Sequence, residues 1–301
     1  MRILILRPGA IGDTLLVFPV IDALRARSCY KDGDAHITLV GNMAVLPLAL
    51  RCGVADEIAN YEEAHWRFLF LKPPHSLSVL APLLAQIDMV IAWLRDADGV
   101  VKRNLDALAI RQSVVAPGRP VDAVHIVQYL AATVGVTVHT PPYYAHHFAT
   151  PESTPPRLLA IHPGSGGVQK CWPVEHFADL ISCLIQQKRP ILLLAGPADH
   201  ERVHTILQRL PTSPLLRVSI DAPLTTVAAE LCRCQGFIGN DSGITHLAAM
   251  LGVPTLALFG PSDPRVWQPY GRSVSIIHTS DLERLAVEDV LGQLDTFFSS
   301  T

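Results

Sequence analysis

Charge is scarce in this chain of 301 residues, in which Asp, Glu, Lys and Arg together make up 17%. Lys and Arg number 24 against 27 Asp and Glu, a net charge of −3. With no basic excess in either half, composition gives no reason to expect a nucleic-acid-binding surface. No apolar run reaches the roughly 18 residues that a membrane-spanning helix needs. The opening stretch, MRILILRPGA, is too short in apolar length for a secretory signal and turns directly into a glycine loop. The six cysteines (Cys29, Cys52, Cys171, Cys183, Cys232 and Cys234) have no framework spacing. Cys232-Arg-Cys234 lacks a second pair at ligand spacing, so neither a disulfide scaffold nor a zinc site is expected. Reduced thiols in a cytoplasmic protein are the default reading. Three signatures are also missing: the G-x-G-x-x-G dinucleotide turn, the Walker loop and the G-x-S-x-G elbow.

Half the residues, 49%, are apolar, enough for a sizeable core, and the length suits two domains. Strand-like and helix-like stretches alternate, which predicts parallel α/β sheets. Strands are read at 2–6, 35–40, 89–92 and 114–115, and helices at 14–25, 45–52 and 122–133. Pro19 is expected to kink or shorten the first helix. Residues 61–82 mix aromatics with prolines and read as a helix pair or a mobile surface segment. Residues 148–156, FATPESTPP, read as a linker. After them the pattern restarts with a strand at 158–162, a helix from Pro173 and a strand at 191–195. Helices near 198–210 and 223–232, a strand near 216–218 and a terminal helix at 287–298 complete the second half. The domains are therefore set at 1–152 and 153–284. The terminal segment 285–301 is expected to pack back on the first domain. Residues 148–156 and the segment before Val287 are the expected hinges for closure.

Three glycine turns could carry chemistry. Gly236 to Gly260 reads strand, turn, helix, strand, with Gly239-Asn-Asp-Ser-Gly243 as the turn and Ile244, Leu247, Ala248 and Leu251 on one helix face. The bare N–H groups of such a helix start suit an anion. Gly9-Ala-Ile-Gly12-Asp13 follows the first strand and places a carboxylate in the first helical turn. Asp13 is either a proton acceptor or a plain helix cap. His162-Pro-Gly-Ser-Gly-Gly-Val-Gln-Lys170 opens the second half in the same way, with a lysine beside a Gly-Ser loop. The acid pairs Asp32/Asp34 and Asp96/Asp98 read as solvated turns rather than metal ligands. His146-His147 and His200/His204 read as ordinary surface or core histidines.

These turns resemble family 9 glycosyltransferases, the lipopolysaccharide heptosyltransferases. The resemblance rests on RPGAIGDTLL at 7–16, HPGSGGVQKCWP at 162–173 and GNDSGITHLAAMLGVPTLALFGPSDPRVWQPYG at 239–271. It implies a GT-B architecture, two Rossmann-like domains facing across a cleft, with the nucleotide-sugar on the second. It implies inverting, metal-independent transfer of a heptose from ADP-heptose to the Kdo-containing inner core of lipid A, with no cofactor. The catalytic roles fall on Asp13 as base and on Lys170 at the diphosphate. Substrate contacts fall on Gly9, Gly12, Thr14, Gly164, Ser165, Asp241, Ser242, Gly243 and His246. Glu201 is the ribose candidate, with Asp199 as the other choice. Where the family more often carries an acid followed by Gln-Gly, this chain has Trp93-Leu94-Arg95-Asp96, so the acceptor region is its own. Arg95, Lys102 and Arg103 read as a solvated helix face or as contacts to an anionic lipid core. The implied setting is cytoplasmic, with peripheral contact at the inner membrane. The competing readings are a 2-epimerase-like enzyme on the same fold and a non-catalytic nucleotide-sugar-binding protein.

Overall fold

The computed structural model describes residues 1–27, 35–73, 75–108, 110–148 and 158–299. They form two compact units, Met1–Thr140 and Pro141–Thr301.

In the first unit the elements run β1 (Arg2–Leu6), α1 (Ile11–Leu15), α2 (Phe18–Arg25), β2 (His36–Gly41), α3 (Leu46–Arg51), β3 (Glu57–Asn60), α4 (His75–Leu84), β4 (Met89–Trp93), α5 (Val100–Ala107), β5 (Gln112–Ala116) and α6 (Ile126–Thr133). The sheet order is β3-β2-β1-β4-β5, and every pairing is parallel. Residues 3–6 of β1 and all of β4 are buried, which explains their unbroken apolar sequence: a central parallel strand is covered on both faces.

The second unit runs β6 (Leu158–His162), α7 (Val174–Gln186), β7 (Ile191–Ala195), α8 (His200–Arg209), β8 (Leu216–Ile220), α9 (Leu224–Leu231), β9 (Cys234–Asn240), α10 (Gly243–Met250), β10 (Thr255–Phe259), α11 (Pro264–Trp267), β11 (Val274–His278) and α12 (Val287–Ser299). Its sheet order is β11-β10-β9-β6-β7-β8, again parallel throughout.

Both orders reverse direction once. From β1 the chain winds one way to β2 and β3, then returns to the other side as β4 and β5. From β6 it winds to β7 and β8, then returns as β9, β10 and β11. At such a reversal the loops leaving two neighbouring strands diverge, and a crevice opens at the carboxyl ends. The reversal falls between β1 and β4 in the first unit and between β6 and β9 in the second. The loops after β1, β6 and β9 are the three glycine turns of the sequence.

Two features differ from expectation, the unit boundary and the terminal helix, and two follow it, the break at Pro19 and the helix pair at 61–82. The helix read at 14–25 is two helices, because Pro19 in the first turn of α2 cannot donate to a preceding turn. The compact units meet at Thr140–Pro141 rather than at 152/153. Residues 141–148 belong with the second unit: the Tyr144 amide bonds the Met250 carbonyl at 3.2 Å, and Tyr143 lies against Gly252. The expected linker lies, apart from Phe148, outside the described residues. The terminal helix α12 joins the second unit, not the first, because Val290 and Leu294 are fully buried in that unit's core. The segment 61–82 is a pair of helices, a 3₁₀ turn at Ala64–Phe70 followed by α4. It is anchored by Trp66, Leu69, Leu80 and Leu84 in the first core.

Candidate active site

In the second unit the site is assembled around Asn240, the last residue of β9, which is 0% exposed. Its amide nitrogen donates to the carbonyls of Pro163 (2.8 Å) and Gly164 (3.4 Å), and its amide oxygen accepts from the Trp172 N–H (2.9 Å). One buried side chain thus fixes both ends of the loop after β6. Arg202 of α8 holds the same loop from the other side, donating to the carbonyls of Pro163 and Trp172 at 3.1 and 2.7 Å. Neither residue was singled out in the sequence as a site residue.

On this frame the predicted residues converge. The Ser165 hydroxyl donates to the Asp241 carbonyl at 2.5 Å, and the Lys170 ammonium donates to the Asp241 carboxylate at 2.7 Å. Ser242 caps α10 by accepting from the Thr245 N–H, and Gly243 opens the helix. His246 is buried one turn on, with Nε2 3.9 Å from the other Asp241 oxygen. A half-buried lysine and the amide-rich start of an eight-residue helix therefore share one place, a local field suited to an anion.

Behind them lies a buried polar chain that sequence reasoning missed. His162 Nε2 lies 3.1 Å from the Asp199 carboxylate, and Ser242 Oγ lies 3.3 Å from His162 Nδ1. Nε2–H donates to Asp199, and Nδ1 stands against the serine hydroxyl. Burial alone would push the Asp199 carboxyl up. The hydrogen bond and charge of His162, the Gly196 N–H and Arg202 outweigh it and hold the group below the ordinary carboxylate range. Asp199 is thus committed internally, whereas Glu201, in the first turn of α8, is exposed. A Cβ at Gly164 would stand 1.8 Å from an Asp199 oxygen, so this approach needs glycine.

In the first unit the turn after β1 borders a cavity of about 1120 Å³ at the β1/β4 reversal. Arg7, Gly9, Asp13, Phe70, Trp93, Arg95, Asp96, Lys102 and Arg119 are among its lining residues. One Asp13 oxygen accepts from the Arg7 guanidinium at 2.9 Å and the other from the Ala10 N–H at 3.0 Å. Gly9 has φ +145, and a Cβ there would meet Asp13 Oδ2 at 2.7 Å, so only glycine lets the turn wrap the carboxylate. Asp96 is spent capping α5, accepting from the N–H groups of Val101 and Lys102 at 3.0 Å each. Lys102 is paired with Asp106. Gly12 and Thr14 are buried. Thr14 is 0% exposed with its hydroxyl directed at the Ala10 carbonyl, so it braces the turn.

The other candidates are accounted for locally. Asp32 and Asp34 lie outside the described residues. His200 pairs with Asp221 at 2.8 Å, and His204 with Gln208 at 2.9 Å. Burial raises the Cys232 and Cys234 thiols to about 11 and about 12, which keeps both protonated.

Two parallel-sheet units with glycine turns at their reversals are the architecture of GT-B glycosyltransferases. Residues 131–291 match the model of glycosyltransferase family 9 (heptosyltransferase), and the chain belongs to this family. It is 23% identical over 311 residues to lipopolysaccharide heptosyltransferase 2 of Escherichia coli K12, covering 92% of this chain and 88% of that one. Among solved structures, the family 9 glycosyl transferase of Veillonella parvula superposes with a TM-score of 0.76 at 20% identity, covering 100% of this chain and 98% of that one. The E. coli ADP-heptose lps heptosyltransferase II superposes at 0.75 with 22% identity, over 100% and 99%.

Proposed function

We propose that this chain transfers a heptose from ADP-heptose to a lipopolysaccharide inner-core acceptor, with inversion and without a metal. The observation that carries the reading is the convergence of Lys170, Ser165 and the α10 start on one anion seat. A departing diphosphate needs its growing negative charge met, and a lysine with oriented backbone dipoles supplies that without a cation. Asp13, held at the rim of the first unit's cavity, takes the proton from the acceptor hydroxyl as it attacks the anomeric carbon. Proton transfer of this kind is worth ~10²–10⁴-fold. Glu201, exposed beside the β7 turn, is assigned to the ribose. The similarity to a relative named for ADP-heptose and lipopolysaccharide favours this donor and acceptor over other nucleotide-sugars.

The cavity suits an anionic acceptor. Arg95 and Arg119 join its charged lining beside groups already engaged: Arg7 is paired with Asp13, Lys102 with Asp106, and Asp96 caps α5. Because the acceptor is lipid-linked, we place the enzyme at the cytoplasmic face of the inner membrane, in peripheral contact. Among the described residues no helix is long and apolar enough to cross a membrane. Phe70, which lines the cavity, and its chain neighbour Leu71 are 42% and 45% exposed and directly precede Lys72.

The test is turnover of ADP-heptose with a Kdo-terminated lipid A acceptor in excess chelator. Full activity and a product of inverted anomeric configuration are expected. Activity lost in chelator and restored by Mg²⁺ or Mn²⁺ refutes the metal-free mechanism. Turnover of a UDP-sugar without acceptor refutes the transferase reading.

A further inference from the structure

Arg7 directly follows the buried strand β1, and its side chain is 3% exposed. A guanidinium so placed loses hydration that only close pairing offsets. Its pKa is lowered, chiefly by burial, with Asp13 opposing that effect. Two of its side-chain hydrogen bonds go to a single residue. Nη2 donates to the Asp13 carboxylate at 2.9 Å, and Nε donates to the Asp13 carbonyl at 3.1 Å. The fork therefore grips Asp13 by backbone and side chain together, which fixes the carboxylate's rotamer. Oδ1 is taken by the arginine, while Oδ2 accepts the backbone N–H of Ala10 at 3.0 Å. Oδ2 is also the oxygen nearest Gly9, which lines the cavity with Asp13. The guanidinium is in turn confined: a Cβ at Gly118 would lie 2.2 Å from Arg7 Nη1.

We infer that Arg7 is a positioning residue for the proton acceptor, holding Asp13 by Oδ1 so that Oδ2 faces the acceptor hydroxyl. The inference rests on the reading of Asp13 as the base and adds a residue that acts through it. A lysine at this position would keep the charge but lose the two-point grip, since an ammonium has no planar fork. Misplacing a general base by an ångström costs about 10²-fold, so the effect is expected in turnover and not in donor binding.

The experiment compares R7A, R7K and D13A for kcat, ADP affinity and melting temperature, with and without guanidinium chloride at tens of millimolar. R7A is expected to lose about 10²-fold in kcat with ADP affinity unchanged. Guanidinium should restore part of that loss in R7A and none in D13A. R7K should fall between R7A and wild type. G118A provides a second perturbation that removes no functional group. By crowding the guanidinium it should lower kcat with donor affinity intact, even if R7A does not fold. Folded R7A or G118A turning over like wild type overturns the inference and leaves the proposed function standing. A kcat loss in R7A that follows a fallen melting temperature and ignores guanidinium also overturns it. A wild type that releases no ADP from ADP-heptose ends both readings.

Discussion

Removing the Lys170 charge reports on the anion seat through two opposite effects. The ammonium is 35% exposed and 2.7 Å from an Asp241 carboxylate that is itself 6% exposed. In K170A the diphosphate loses one charge-assisted hydrogen bond, worth about 1.5–3 kcal/mol when well formed. Partial exposure puts the binding loss at the lower end, near tenfold at about 1.4 kcal/mol per decade. Turnover should fall further, towards 10²-fold, because the negative charge being met grows as the bond to the sugar breaks. The variant also leaves Asp241 without its lysine at the place where the anion sits, which adds repulsion. Neutralising that acid in K170A/D241N should therefore recover part of the lost affinity, so the double variant binds ADP better than the product of the single effects. Calorimetric titration with ADP and steady-state kcat/KM on the four proteins of the cycle read both terms. K170A binding ADP within twofold of wild type, or strict additivity in the cycle, would refute the electrostatic reasoning.

Asp13→Asn should abolish measurable turnover, a loss of at least ~10²-fold, while ADP affinity by titration stays within a factor of about two. Ser242→Ala removes the α10 cap and should cost about 1 kcal/mol in urea unfolding, with a parallel loss of ADP affinity. Ser242→Gly should cost only a few tenths. Asp199→Asn tests the buried chain through pH. The folded-state pKa of Asp199 lies below the ordinary carboxylate value, so its stabilisation is present above that value and lost as pH falls through the lowered one. D199N should therefore be less stable than wild type at pH 7, and the gap in urea midpoint should shrink below about pH 4. A gap that widens on acidification contradicts the pairing with His162.

The glycine turns were legible because phosphate and carboxylate sites at strand ends need residues that tolerate close approach. Gly9, Gly164 and the Asn-Asp-Ser-Gly run at 240–243 declare this in the residue types themselves. The buried strands were legible for a similar reason: β4, β7 and β10 are covered on both faces, so nearly every position is apolar. β3 and β11 escaped because edge strands need no such run; Glu57-Ile-Ala-Asn60 carries two polar residues in four. Asn240, Arg202, His162 and Arg7 escaped because their roles are tertiary. Asn240 bonds residues 68 to 77 positions away, and no local pattern marks that. Arg7 pairs with a residue only six positions on, yet a short turn with one arginine and one acid reads as solvated until its burial is known. That α1 faces the Thr14 hydroxyl inward is likewise not visible in the sequence.

ADP release under steady state, from ADP-heptose and a Kdo-terminated lipid A acceptor, compared between wild type and D13N, reads the transfer chemistry most directly. Wild type should release ADP only when acceptor is present, and D13N should bind ADP normally yet release none above background. Equal rates in the two proteins, or wild-type release that ignores the acceptor, would contradict a carboxylate-assisted transfer from the first unit's cavity.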